Sequence, residues 1–122
     1  MFLKRLQDCR EITATDGTRL RELLHPERDA ATVRYSLARA RLAPGTASLP
    51  HRLTVSEAYY LVEGRGRMHV GAESADVRAG DAVFIPPGAE QWLENTGKEE
   101  VVFLCIVDPA WTAAAEEPAA RS

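Results

Sequence analysis

Apolar and polar positions in this chain change places over short runs, and no stretch sustains the apolar period of a buried helix face. Turn formers cut the middle of the chain at close intervals: Asp16-Gly17, Pro44-Gly45, Gly64 to Gly66, Gly71, Gly80-Asp81, Pro86 to Gly88 and Asn95 to Gly97. Glycine and asparagine accept the backbone conformations that tight turns need, and proline presets φ, so each cluster marks a chain reversal. Between the clusters lie runs rich in β-branched and aromatic residues, and these predict strands over 33–42, 58–62, 67–70, 82–85 and 101–107. Weaker strands are expected over 74–78 and around Ile12. Residues 19–24 read either as a brief helix stopped by Pro26 or as a further strand. Punctuation of this regularity predicts an all-β sandwich or barrel.

Alternation assigns faces within the strands. Glu57, Tyr59 and Leu61 share one face, which is expected to line the interior, while Tyr60 and Val62 face away. Arg39 and Arg41 also share a face, as a solvated surface or as a mouth for an acidic ligand. Cys105, inside the last apolar run, reads as a small hydrophobe. The segment 113–122 is rich in alanine, with Glu116, Glu117 and Pro118, and has little to bury. It is expected to be loose, with Trp111 the last residue to dock. The chain therefore divides into an N-terminal segment of short strands and turns (1–32), a barrel (33–112) and a tail (113–122).

Composition narrows the function. A chain of 122 residues has room for one domain with a buried core. Its 45% hydrophobic and 27% charged residues are those of a folded protein. A net charge of −3 supplies none of the basic excess on which nucleic-acid binding rests. The longest apolar run, 101–107, falls far short of the roughly 20 residues of a membrane-spanning helix. The first ten residues carry Lys4, Arg5 and Asp8 and lack the apolar stretch of a secretory signal. Cys9 and Cys105 are far apart and form no paired-cysteine motif. Reduced thiols in the cytoplasm are the expectation.

One spacing carries chemistry. Five residues separate Gly45 from His51, five separate His51 from Glu57, and six separate Glu57 from Gly64. Downstream, five residues separate Gly80 from Pro86, one Pro86 from Gly88, two Gly88 from Gln91 and three Gln91 from Asn95. At about 3.3 Å per residue a straight strand would hold His51 and Glu57 roughly 20 Å apart, so a turn between them is required for both to face one ligand. The expectation is that residues 53–56 make that turn and that His51 and Glu57 become cross-strand neighbours. Pro86-Pro87-Gly88 would bend the chain so that Gln91 reaches the same place. The Gly64-Arg65-Gly66 turn predicts a hairpin pairing 58–62 with 67–70. That pairing puts His69 some 10 to 13 Å from Glu57, as an exposed or hydrogen-bonded strand histidine. His25, ahead of Pro26, carries no signal of its own.

These spacings resemble the paired motifs of the cupins, and eight of the ten motif positions agree by residue type. The departures are Leu53, where the family pattern has a second histidine, and Gln91, where it has a third. The resemblance implies a single small jelly-roll barrel, a double-stranded β-helix. It also implies a divalent metal ion inside the barrel, here at His51, Glu57 and Gln91, with Leu53, Tyr59 and Leu61 lining the cavity. Leucine offers no lone pair and glutamine is a weak neutral donor, so such a metal would be weakly held. Two readings stay open. In one, the metal acts as a Lewis acid on a small oxygen-rich substrate, a sugar derivative or keto acid. In the other, a metal-free polar trio orients a small ligand without catalysis. A homodimer is expected under either, through an edge strand such as 33–42.

Overall fold

The computed structural model describes residues 1–118. It is built almost wholly of strands: β1 (Glu11–Thr13), β2 (Arg19–Leu24), β3 (Ser36–Leu42), β4 (His51–Leu53), β5 (Ser56–Glu63), β6 (Arg65–Val70), β7 (Glu73–Arg78), β8 (Ala82–Ile85), β9 (Gln91–Asn95), β10 (Val101–Asp108) and β11 (Glu116–Pro118). Short 3-10 turns at Leu6–Asp8 and Ala113–Ala115 are the helical elements among the described residues. The strands form two antiparallel sheets, one in the order β1-β2-β3-β10-β5-β8 and the other β11-β4-β9-β6-β7. This is the all-β architecture expected from the punctuation and the jelly roll that the resemblance implies, and 19–24 is a strand.

The chain alternates between sheets, and that sets which side chains can meet. β5 pairs with β10 and β8, whereas β6 pairs with β7 and β9. The expected hairpin between 58–62 and 67–70 is therefore absent: Gly64 to Gly66 carries the chain across from one sheet to the other. Gly64 does this at φ +83°, and a Cβ there would stand 2.6 Å from the Glu100 carbonyl oxygen. At Gly66 a Cβ would overlap the Glu94 carbonyl. Glycine is needed at both positions for close backbone approach, and at Gly64 for its conformation as well.

Side chains on the inner faces close the core between the sheets. Leu61, Ile85, Leu93, Val101 and Phe103 are almost fully buried, with Tyr59, Met68 and Cys105 beside them. Phe103 and Tyr59 pack with ring centroids 4.6 Å apart. Tyr60 and Val62 face outward, as their alternation with Tyr59 and Leu61 predicts.

Two expectations change. β3 lies between β2 and β10, so 33–42 is not an edge; the edges among the described residues are β1 and β8 in one sheet and β11 and β7 in the other. In the N-terminal segment, β1 and β2 extend the larger sheet beyond β3. The chain after Trp111 is also ordered further than expected, since Glu116, Glu117 and Pro118 pair with Leu53, Arg52 and His51. Alanine and glutamate with no apolar alternation gave no sign of that strand. The rest of the tail, 119–122, lies outside the described residues.

Candidate functional site

A cavity of about 470 Å³ opens between the sheets. Its apolar wall includes Leu20, Leu53, Tyr59, Phe103, Val107 and Trp111, and its polar wall includes Asp16, His51, Glu57 and Glu116. The size suits a small organic molecule.

His51 and Glu57 are not cross-strand neighbours. His51 on β4 pairs with Gln91 on β9, and Glu57 on β5 pairs with Ile85 on β8 and Val107 on β10, so the two face the interior from opposite sheets. Their meeting depends on closure of the barrel, not on the turn between them. His51 is buried, and its Nδ1 lies 3.1 Å from the Leu49 carbonyl oxygen. A carbonyl only accepts, so Nδ1 carries the proton in the neutral ring and Nε2 presents a lone pair. Nε2 lies 4.0 Å from Glu116 Oε1. Glu116 enters from β11, where pairing with Leu53 puts both side chains on the inner face.

Glu57 is 7% exposed, and its Oε1 has no hydrogen-bond partner. Burial, with the charges of Asp16 and Glu116 nearby, pushes its pKa up to about 8, while the Gln91 amide beside it acts in the opposite direction. At neutral pH Glu57 is mostly a neutral acid. Gln91 is fully buried and does not line the cavity. Its Oε1 accepts the Tyr59 hydroxyl at 3.0 Å, and its Nε2 has no partner in hydrogen-bond geometry. Leu61 is likewise packed in the core and not on the cavity wall, whereas Leu53 and Tyr59 do line it.

The remaining polar wall comes from residues that motif reasoning missed. Asp16 sits in the β1–β2 turn, where its Oδ1 accepts from the Thr18 amide at 3.0 Å and the Thr18 hydroxyl at 2.7 Å. The Leu49 amide donates to the Asp16 carbonyl at 2.7 Å, tying this turn to the loop before His51. An Asp-Gly turn was visible in the sequence; that it folds over the cavity was not. Trp111 is held through its amide on Ser36 Oγ at 2.9 Å and its carbonyl on His25 Nε2 at 2.8 Å. His25, buried to 1% exposure, thus braces the wall.

Other singled-out residues lie elsewhere. His69 stacks on Trp92 at 3.7 Å between centroids and bonds Glu94 Oε1 through Nε2 at 2.6 Å, facing away from the cavity. Arg39 and Arg41 lie on the outer side of the larger sheet, where Arg41 bonds Glu11 at 2.6 Å and Glu100 at 2.8 Å. Cys105 lines the cavity, and burial pushes its thiol pKa well up, so it stays a protonated small hydrophobe.

The donor set does not fit a firmly held divalent metal. Leu53 offers no donor, the Gln91 oxygen is occupied by Tyr59, and Glu57 favours its proton. Among the described residues no three His, Cys, Asp or Glu side chains are grouped to hold one ion.

Two facing antiparallel sheets around an inward polar cluster define a small cupin barrel. Residues 38–107 match the Cupin domain model Cupin_2, and the chain belongs to that family. It is 39% identical over 98 residues to an uncharacterized protein of Methanocaldococcus jannaschii, covering 80% of this chain and 78% of that one. It is 32% identical over 71 residues to an oxalate-binding protein of Thermotoga maritima, covering 57% of this chain and 59% of that protein's length. In fold it is similar to Bacillus subtilis oxalate decarboxylase, an enzyme with Mn(II) centres, at TM-score 0.80 and 23% identity over 93% of this chain and 31% of that one. Among the described residues, no helix is long and apolar enough to cross a membrane.

Proposed function

We propose that this cupin is a metal-independent small-molecule-binding protein whose ligand lies in the barrel with its apolar body on Leu53, Tyr59, Phe103 and Trp111. Its polar end meets His51, Glu57 and Glu116. The observation that carries this reading is Glu57 Oε1, a buried polar atom on the wall of a mostly apolar cavity, without a partner. An unpaired buried polar atom costs roughly 1 to 3 kcal/mol, a cost that a ligand group bonded to it would offset. The cavity volume of about 470 Å³ is of the size such a body needs. The oxalate-binding relative supports a small molecule as the ligand class.

The test is a thermal-shift screen of small metabolites in excess EDTA. A ligand that binds only the folded state raises the melting point, and the stabilisation grows with the logarithm of its concentration over Kd. A rise that persists in chelator and shrinks in Leu53→Trp, which fills the cavity, is the expected result. Stabilisation that appears only after adding a divalent metal, and disappears on chelation, would overturn it.

A further inference from the structure

The groups that face the cavity are unbalanced in a way that selects ligand charge. Three carboxyl side chains come from separate parts of the chain: Asp16 from the β1–β2 turn, Glu57 from β5 and Glu116 from β11. A fourth, Glu22, is already held by Arg28 in a two-point ion pair at 2.7 and 2.8 Å. Arg10 reaches the wall but is exposed, and no lysine lines it. The single imidazole, His51, presents its Nε2 lone pair in the neutral ring because its Nδ1–H donates to the Leu49 carbonyl. The polar wall of the cavity is therefore rich in carboxyl groups with little cationic compensation. Glu57 stands among them nearly buried with Oε1 unpaired.

On the reading above, that the cavity takes a small molecule without metal, we infer that its ligand is an organic cation, a protonated amine or amidine carried on an apolar body. An ammonium brings N–H donors to the unpaired Glu57 Oε1 and to the Glu116 carboxyl. Its positive charge favours the ionised form of Glu57, which burial otherwise disfavours, in a site away from bulk water where charge-assisted hydrogen bonds are strongest. A carboxylate would instead be placed beside Glu57, Glu116 and Asp16. Its oxygens could accept the Glu57 proton, but they would face the Glu116 and Asp16 side chains with no lysine on the wall to offset the charge. The aromatic rings of Tyr59, Phe103 and Trp111 add faces that also favour a cation. The oxalate-binding relative is named for an anion, so this inference separates the present chain from it in ligand charge.

Three probes of one shape test this: benzylamine, benzyl alcohol and benzoate, titrated in EDTA with binding followed by Trp fluorescence and melting point. Benzylamine is expected to bind at least ten-fold more tightly than benzyl alcohol, with benzoate weakest. Glu116→Gln, at a half-buried position that leaves the core intact, is expected to reduce benzylamine's advantage several-fold and to leave benzyl alcohol unchanged. Benzoate or oxalate binding as tightly as benzylamine would overturn the charge assignment while leaving the small-molecule reading intact. No binding by any of the three would count against both. MnCl2 alone stabilising the protein more than benzylamine, with that effect lost in Glu116→Gln, would also overturn it, since the cationic occupant would then be a metal.

Discussion

Glu57 and Tyr59 show how single residues set the character of the interior. Burial raises the Glu57 pKa from 4.5 to about 8, so the folded protein keeps a proton that the unfolded chain releases above pH 4.5. The native state binds the extra proton between those values, so stability falls as pH rises from about 4.5 to about 8 and levels off above. Glu57→Gln removes this dependence while keeping the shape. It is expected to be more stable than wild type by about 3 kcal/mol at pH 7, with no difference near pH 4. Urea melts of the two proteins across that range provide the check. A constant offset, independent of pH, would contradict the assignment. Tyr59 acts on its neighbour Gln91, whose oxygen it occupies. Tyr59→Phe is expected to cost about 1 to 2 kcal/mol in urea unfolding, because it leaves a fully buried amide oxygen unpaired.

At the scale of elements, sheet crossings do the organising. The steepest is at Gly64, where any side chain must adopt φ +83° and approach the Glu100 carbonyl. Gly64→Ala should destabilise by at least about 2 kcal/mol, whereas Gly71→Ala, with nothing near its Cβ position, should pay only for its φ of +58°. Equal losses in thermal denaturation would show that close approach plays no part. Local pattern was sufficient to find β3, β5, β6, β8 and β10, because each is a short run carrying apolar residues between turn formers. It was not sufficient to say which of them pair. The β5–β6 turn looks like a hairpin in sequence, and only barrel closure reveals it as a crossing. The candidate site divides likewise. His51 and Glu57 were legible from spacing, Tyr59 from alternation and Leu53 from its motif position. Gln91 was found, but its engagement by Tyr59 depends on a contact between sheets that no linear pattern encodes. Asp16 and Glu116 come from segments whose composition marks them only as turn and tail.

At the scale of the whole molecule, the larger sheet has an uncovered apolar outer face. Tyr60, Val62, Phe84 and Ile106 are 45%, 41%, 67% and 38% exposed. Register places them on the outer side of the larger sheet, with Ala58 between Ile106 and Phe84. A homodimer, if formed, is expected to use this face and not β3, which is paired on both sides. Phe84→Glu is then expected to shift light-scattering mass from dimer to monomer without loss of fold. A wild type that remains monomeric at high concentration would refute the expectation.

More than half of the residues around the cavity lie outside 38–107, in the first two strands and their turn, at Ser36, and at Trp111 and Glu116. The segments flanking the family-matched barrel thus supply much of the wall, including Asp16 and Glu116, while His51 and Glu57 come from the barrel itself. Substitutions in the flanks can therefore reshape the cavity without touching the core strands.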